Sequence, residues 1–394
     1  MKSRFPQFIL AVCAGTTLVI QVCLPVLAQI VPDITDWTKA EQTYKQSIIE
    51  AKSSEERASI LQEYALRLIS RKEYEEAEPV LAQCLSIRRQ KSESELITLQ
   101  TLSNLALVKH KLKKEEEAES LYKECLALKR KVCPESISLA LTLTNLANLY
   151  SEARRPTDAE PLYLEAFKID KKLGGENHQE CGQDLFNLGG MYYQCNEPKK
   201  ALQYFNRAQN IFEACGPACH EQLIRVLHYS ALCHSTLQEH QKSIEYNEKA
   251  LVLQESKKGS NHADTAIHLL NLAHAKAKMG KASDAESLYI KALERVSNAK
   301  SPDELKLCEC NSELANFYRQ QKKYAKAEEF YKIALVHYQR LSKHEKRGLY
   351  SLPHSYSVML EQLKRSEESH QMAHDYLHVF KPHQKPQAHK GEQH

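Results

Sequence analysis

Apolar residues recur with helical spacing along most of the chain. In TLTNLANLY, residues 142–150, Leu143, Leu146, Ala147 and Tyr150 stand at i, i+3, i+4 and i+7, a single stripe on a helix. A second stripe with the same spacing follows in Ala159, Leu162, Tyr163 and Ala166. Together they predict a pair of helices packed face to face. Asn145 and Asn148 interrupt the first helix, although Asn is a poor helix former whose side chain competes for backbone groups. With the apolar stripe as the buried face, both asparagines fall on the opposite side.

The helix pair repeats. A small residue ahead of a bulky pair appears as Ala77, Ala118, Ala159, Ala201, Ser243, Ala285 and Ala327, in steps of 41, 41, 42, 42, 42 and 42 residues. Seven units at one period predict a stacked array rather than separate domains. Small residues recur at fixed places in the first helices (Ala106, Ala147, Gly189, Ala231, Ala273, Ala315). They recur in the second helices too (Cys84, Cys125, Ala166, Ala208, Ala250, Ala292, Ala334). Small side chains let the two helices approach, and large ones fill the space between neighbouring pairs.

Leu146-Ala147, Tyr150, Ala159, Tyr163 and Ala166, repeated from unit to unit, resemble the tetratricopeptide repeat. The 42-residue period, the wording Asn-Leu-Ala-x-Leu-Tyr and Glu-Ala-Glu-x-Leu-Tyr, and the loops at 174–178 and 259–262 are similar to the kinesin light chain subclass. The resemblance covers roughly three quarters of the chain. Asn247 departs from it where an aromatic is expected, Ser230 where Leu is usual, and the first unit lacks the Asn. The resemblance implies an all-α, right-handed superhelical α-solenoid of about seven helix-turn-helix units with helical caps. It also implies that the first helices line a concave face that binds a protein or peptide.

The expected organisation runs from a linker and capping helix over 29–56, through seven repeats over 57–345, to capping helices over 346–380. Ser301-Pro302-Asp303-Glu304 has the form of a capping box with Pro at the first helical position, and predicts a helix start there. Residues 381–394 lack an apolar face and are expected to be a disordered, His-rich tail. At the other end, MKSR precedes an apolar run closing in Val26-Leu27-Ala28. Residues 1–28 are read as a secretory signal, with an uncleaved membrane anchor as the alternative. Val12 and Val22, before Cys13 and Cys23, argue against a lipoprotein anchor. The expected location is extracytoplasmic: periplasmic or secreted, with a membrane association only if the segment stays attached.

Composition narrows the function. Of 394 residues 26% are charged, only 11 are Gly and 13 Pro, and the net charge is +4 with both signs interspersed. That balance argues against nucleic acid as a partner, which calls for a concentrated basic stripe. Nothing has the form of a catalytic motif, so a scaffold rather than an enzyme is expected, without a cofactor.

Candidate binding residues come from the asparagines. The Asn145 slot is Asn again at Asn104, Asn187 and Asn271, and holds Tyr229 and Glu313 in the fifth and seventh units. One turn earlier stand Gln100, Leu141, Gln183, Arg225, Ile267 and Glu309. A carboxamide donates and accepts, which suits the backbone of an extended peptide. With Asn148 added, and Arg225, His228, Tyr229 and His274 supplying specificity, these residues form the expected concave-face site. The rival reading is metal binding by the His-rich C-terminus. His370, His374 and His378 follow at i, i+4 and i+8, and His383, His389 and His394 lie beyond. His178, His220 and His262 recur at one repeat spacing, too far apart to share an ion, and read as loop residues. Cys84 and Cys125 hold small-residue slots and read as packing residues. Cys133, Cys181, Cys195, Cys215, Cys219, Cys308 and Cys310 are expected near loops or helix ends, with a disulfide between Cys181 and Cys215 or Cys219 as the first choice.

Overall fold

The computed structural model describes residues 37–90, 95–259, 261–349 and 351–377. The expected signal segment, the whole of the expected tail and His378 lie outside them. Among the described residues all regular structure is helical. Two compact units are present, one ending at Gln222 and one beginning at Leu223.

The first unit opens with α1 (Trp37–Glu50) and continues as four helix pairs: α2 (Ser54–Ser70) with α3 (Tyr74–Gln90), α4 (Glu95–Lys111) with α5 (Glu115–Val132), α6 (Ile137–Glu152) with α7 (Pro156–Gly174), and α8 (Gln179–Gln194) with α9 (Pro198–Cys215). A short 3-10 turn, Gly216–Cys219, follows. The second unit holds α10 (His220–Thr236) and α11 (His240–Lys258), α12 (Ala266–Lys278) and α13 (Ala282–Ser297), and α14 (Glu304–Gln320) and α15 (Tyr324–Arg340). After the short α16 (Lys343–Gly348), α17 (Ser351–Gln362) and α18 (Ser366–Met372) pack on each other, and a π turn, Ala373–Leu377, ends the described chain.

Every small-residue slot named from the sequence in the second helices is fully buried, from Cys84 to Ala334. The slot four residues after the repeat's small marker holds Leu81, Tyr122, Tyr163, Phe205, Asn247, Tyr289 and Tyr331, all buried. These layers contribute to the buried clusters of each unit. Gly189 replaces the usual Ala because Phe205 lies beneath it: a Cβ on Gly189 would fall 2.5 Å from the Phe205 ring.

Each first helix ends in the same way. One residue takes a left-handed conformation: Lys72, Lys113, Arg154, Asn196, Gln238, Lys322 and Lys364 have φ of 56–63°, and Gly280 has 76°. At the first of these, Lys72 N–H donates to Ile69 O and Glu73 N–H to Leu68 O, both at 2.9 Å. These bonds satisfy helix-end carbonyls as in a Schellman closure and release the chain directly into the second helix. Lys364 shows that α17 and α18 are an eighth, shortened pair built on the same turn.

A second recurring contact joins five of the pairs to the pair that follows. Glu119, the second acid of Glu-Ala-Glu, accepts from Tyr150 Oη at 3.0 Å and from Arg155 Nη1 at 2.9 Å. Glu160 accepts from Tyr192 at 2.5 Å, Glu286 from Tyr318 at 2.8 Å and Lys323 at 3.2 Å, and Glu328 from Tyr356 at 3.4 Å and Arg365 at 2.6 Å. In the first seam, Lys109 takes the tyrosine's place and binds Glu78 at 2.5 Å, beside Lys114 at 2.7 Å. These acids therefore form seams between repeats. Arg365 holds Glu328 down at about 2, against the opposing effect of burial.

One helix start differs from its sequence reading. Asp303, with its carboxylate accepting from Leu305 N–H at 3.0 Å and Lys306 N–H at 3.2 Å, is the N-cap of α14. Pro302 therefore precedes the helix. A carboxylate can serve two free amides at once, which the Ser301 hydroxyl does not.

Candidate functional site

The first helices of neighbouring pairs approach one another: α4 with α6, α6 with α8, and, in the second unit, α12 with α14. Along this face the asparagine slot is occupied in different ways. Asn104 is 7% exposed and its Nδ2 has no hydrogen-bond partner. Asn145 is half-buried. Asn187 accepts from Gln183 Nε2 at 2.8 Å. Asn271 donates to His228 Nδ1 and to Asn247 Oδ1, both at 3.3 Å. Asn247, the departure in the aromatic slot, is fully buried and donates to Ser243 O at 2.9 Å. The polar substitution in the core is thus tied to the polar residue of the next repeat's first helix.

Asn148 is a correction. Its Oδ1 accepts from Tyr163 Oη at 2.6 Å, so the side chain reaches the second helix of its own pair and is not turned away from the packing. Asn316 and Tyr331 repeat the contact at 2.7 Å. The single-stripe reading failed because Thr142 and Leu149 are buried alongside Leu143 and Leu146, which leaves α6 with little free face.

Arg225, His228 and Tyr229 of α10 are brought together at a cavity of about 370 Å³ within the second unit. Ile267 and His268 of α12 and Glu309 and Cys310 of α14 complete much of its wall, so three successive first helices contribute. His274 is not part of it. Burial lowers His228, His268 and His274, and His268 falls to about 4 with the neighbouring His228 as a smaller cause. The two rings of the cavity meet edge to face at 5.9 Å. His268 is 2% exposed and its Nδ1 has no hydrogen-bond partner. At the rim, burial would raise Asp264, but Lys258 and Lys306 bond it and hold it near 2; the Lys306 contact is 2.5 Å. Glu309 is raised by burial and by Asp303 and Glu313, with Lys306 opposing. His268 and Glu309 were not singled out as partners from the sequence. The available signal was a titratable residue in α12 at a slot that in earlier units holds Thr101 and Thr142.

Another buried polar pair lies in the first unit. Arg88 bonds Thr101, and Lys129 Nζ donates to Thr142 Oγ1 at 2.8 Å. One repeat on, the same layer holds two acids, Asp170 and Asp184, with Thr144 donating to Asp184 at 3.2 Å. Burial pushes both carboxyls up, and the charge of Asp170 adds to the rise at Asp184.

The remaining candidates are dispersed. Cys181, Cys215 and Cys219 are free thiols, which corrects the expected disulfide. Cys181 donates to Gly175 O at 3.4 Å and Cys219 to Gln179 Oε1 at 3.7 Å, and burial pushes both up to about 12. Cys308 and Cys310 lie inside α14 and are buried, not at a loop. His370 closes α18 and His374 sits in the π turn; both are exposed, and His374 contacts Asp375 at 3.1 Å. Among the described residues no group of three His, Cys, Asp or Glu side chains is arranged to hold a metal ion.

The tetratricopeptide repeat model matches residues 56–131, 138–214, 222–298 and 310–345. The chain belongs to the tetratricopeptide repeat family. No curated protein matches it. Among solved tetratricopeptide-like folds, the apo form of RapI is 15% identical, covering 86% of this chain and 97% of its own, with a TM-score of 0.58. A Rap protein complexed with competence and sporulation factor is 15% identical over 86% and 96%, with a TM-score of 0.50. BtubC (BKLC) from P. vanneervenii is 18% identical over 57% and 93%, with a TM-score of 0.51. At these identities the likeness is one of fold. Tetratricopeptide repeats are generally scaffolds for protein or peptide partners rather than enzymes.

Proposed function

We propose that this tetratricopeptide repeat protein is an exported scaffold of the kinesin light chain-like subclass that captures a protein segment along its first helices. The subclass rests on the 41- and 42-residue steps, and export on the apolar segment ending at Ala28. No described helix is long and apolar enough to cross a membrane. One observation carries the binding reading: Asn104, Asn145, Asn187 and Asn271 share a slot on the first helices, with the Asn104 amide unpartnered. Carboxamides offer donors and acceptors to a peptide backbone without dictating its sequence. Among its likenesses of fold, a Rap protein was solved with competence and sporulation factor.

The test compares wild type with a variant carrying Ala at Asn104, Asn145, Asn187 and Asn271. Both are used to retrieve partners from the extracytoplasmic fraction, and circular dichroism verifies folding. A partner retained by wild type is lost by the variant if the ladder binds it. Equal retention moves the site elsewhere. Mass measurement of the mature chain, alongside cell fractionation, tests removal of residues 1–28.

A further inference from the structure

The cavity formed by α10, α12 and α14 contains two polar groups whose needs are unmet. His268 is almost fully enclosed, and its Nδ1 finds no partner. Glu309 also lines the cavity, with no hydrogen bond or ion pair among the described residues. The other charges differ. Lys306 and Asp264 are joined at 2.5 Å, and Asp264 also receives Lys258. Arg225 is exposed at the edge and has its own interactions. Between these groups the wall is aliphatic, with Ile224, Ile267 and Leu270. The volume, about 370 Å³, is at the small end of ligand sites.

A guest must therefore combine an apolar stem with a tip that donates hydrogen bonds and carries positive charge. A wholly apolar guest would seal Glu309 and His268 without partners, at the desolvation cost of each. An anionic guest would face the Glu309 carboxylate. Lysine and arginine have the required form, because their methylene stems lie comfortably along apolar walls while the head seeks a counter-ion.

We propose that this cavity seats the cationic tip of a lysine or arginine side chain from the bound segment, with Glu309 as counter-ion and His268 as hydrogen-bond acceptor. The inference rests on the segment-binding reading and supplies it with an anchor. One basic side chain of the segment enters the second unit.

The test uses the full chain with 15N-labelled histidine and reads the imidazole resonances of His228 and His268. The probes are Nα-acetyl-lysine methylamide, the norleucine analogue lacking the ammonium, and the glutamate analogue. The lysine probe is expected to give saturable shifts of both rings, at least tenfold tighter than norleucine. Glu309→Gln is expected to abolish that preference. Equal binding of lysine and norleucine overturns the proposal, as does preference for glutamate or the absence of any saturable shift. If Glu309→Gln fails to fold, the lysine–norleucine comparison on wild type still decides. Lysine binding without an effect of the asparagine variant on partner retention sinks the segment-binding reading alone. The converse result sinks only the basic anchor.

Discussion

Tyr150 Oη donates to Glu119 Oε1 at 3.0 Å, across the seam between the second and third repeats. Arg155 approaches the other oxygen of the same carboxylate at 2.9 Å. Burial tends to raise Glu119, but Lys123, Tyr150 and Arg155 outweigh it and hold it below the usual carboxylate range. An acid depressed in the folded state contributes stability above its unfolded pKa, and that stability is lost as pH falls through the folded value. Tyr150→Phe is expected to cost about 0.5–1.5 kcal/mol. The difference in melting temperature between wild type and Glu119→Gln should shrink from pH 6 to pH 3. A constant difference would show that the carboxylate charge is irrelevant to the seam.

Asn145 and Asn148 should part company on mutation. Asn148→Ala leaves the Tyr163 hydroxyl, on a side chain 2% exposed, without its 2.6 Å acceptor. A loss of about 1–3 kcal/mol is expected. Asn145→Ala removes no side-chain bond of that kind and should stay within about 0.5 kcal/mol. Urea denaturation of the two variants checks the contrast.

Gly189→Ala places a methyl against the Phe205 ring, with both groups buried in the core. Overpacking of this kind costs about 1–3 kcal/mol. Phe205→Leu in the same chain should recover part of the loss. Recovery shows as a non-additive double-mutant cycle in thermal melts.

The acids Asp170 and Asp184 predict the opposite pH dependence from Glu119. Their folded pKa values are raised, so the folded state keeps a proton that the unfolded chain has already released. Stability from this site is fully present below the unfolded pKa and falls as pH rises through the folded values. Asp184→Asn removes the charge without removing the shape. It is expected to raise the melting temperature at pH 8 and to change little at pH 4.

Much of the fold is legible in the sequence because a fixed period places each small and large residue in the same environment seven times. Ala159, Tyr163 and Ala166 need no partner beyond their own repeat to be read as core. The relationships that were misread link different helices. Tyr150 looks like one more member of an apolar stripe until its hydroxyl is seen on Glu119. Asn148 looks exposed while α6 is imagined with a single buried face. His268 and Glu309 are 41 residues apart in sequence and line one cavity only because α12 and α14 pack together. The shortened eighth pair lacks the Glu-Ala-Glu wording, and is recognised by Lys364 and by Arg365 on Glu328.

The left-handed turns have a further consequence. Five of them carry Lys72, Lys113, Arg154, Lys322 or Lys364 at the turn residue, and all five side chains are exposed. Each is therefore a trypsin site on a closed hairpin, in the first three pairs and the last two, whereas Asn196, Gln238 and Gly280 leave the middle turns without one. A protease admitted as an end frays would trim it by increments of one period only in the first three pairs and the last two, so that the digestion ladder reports which end of the array has opened.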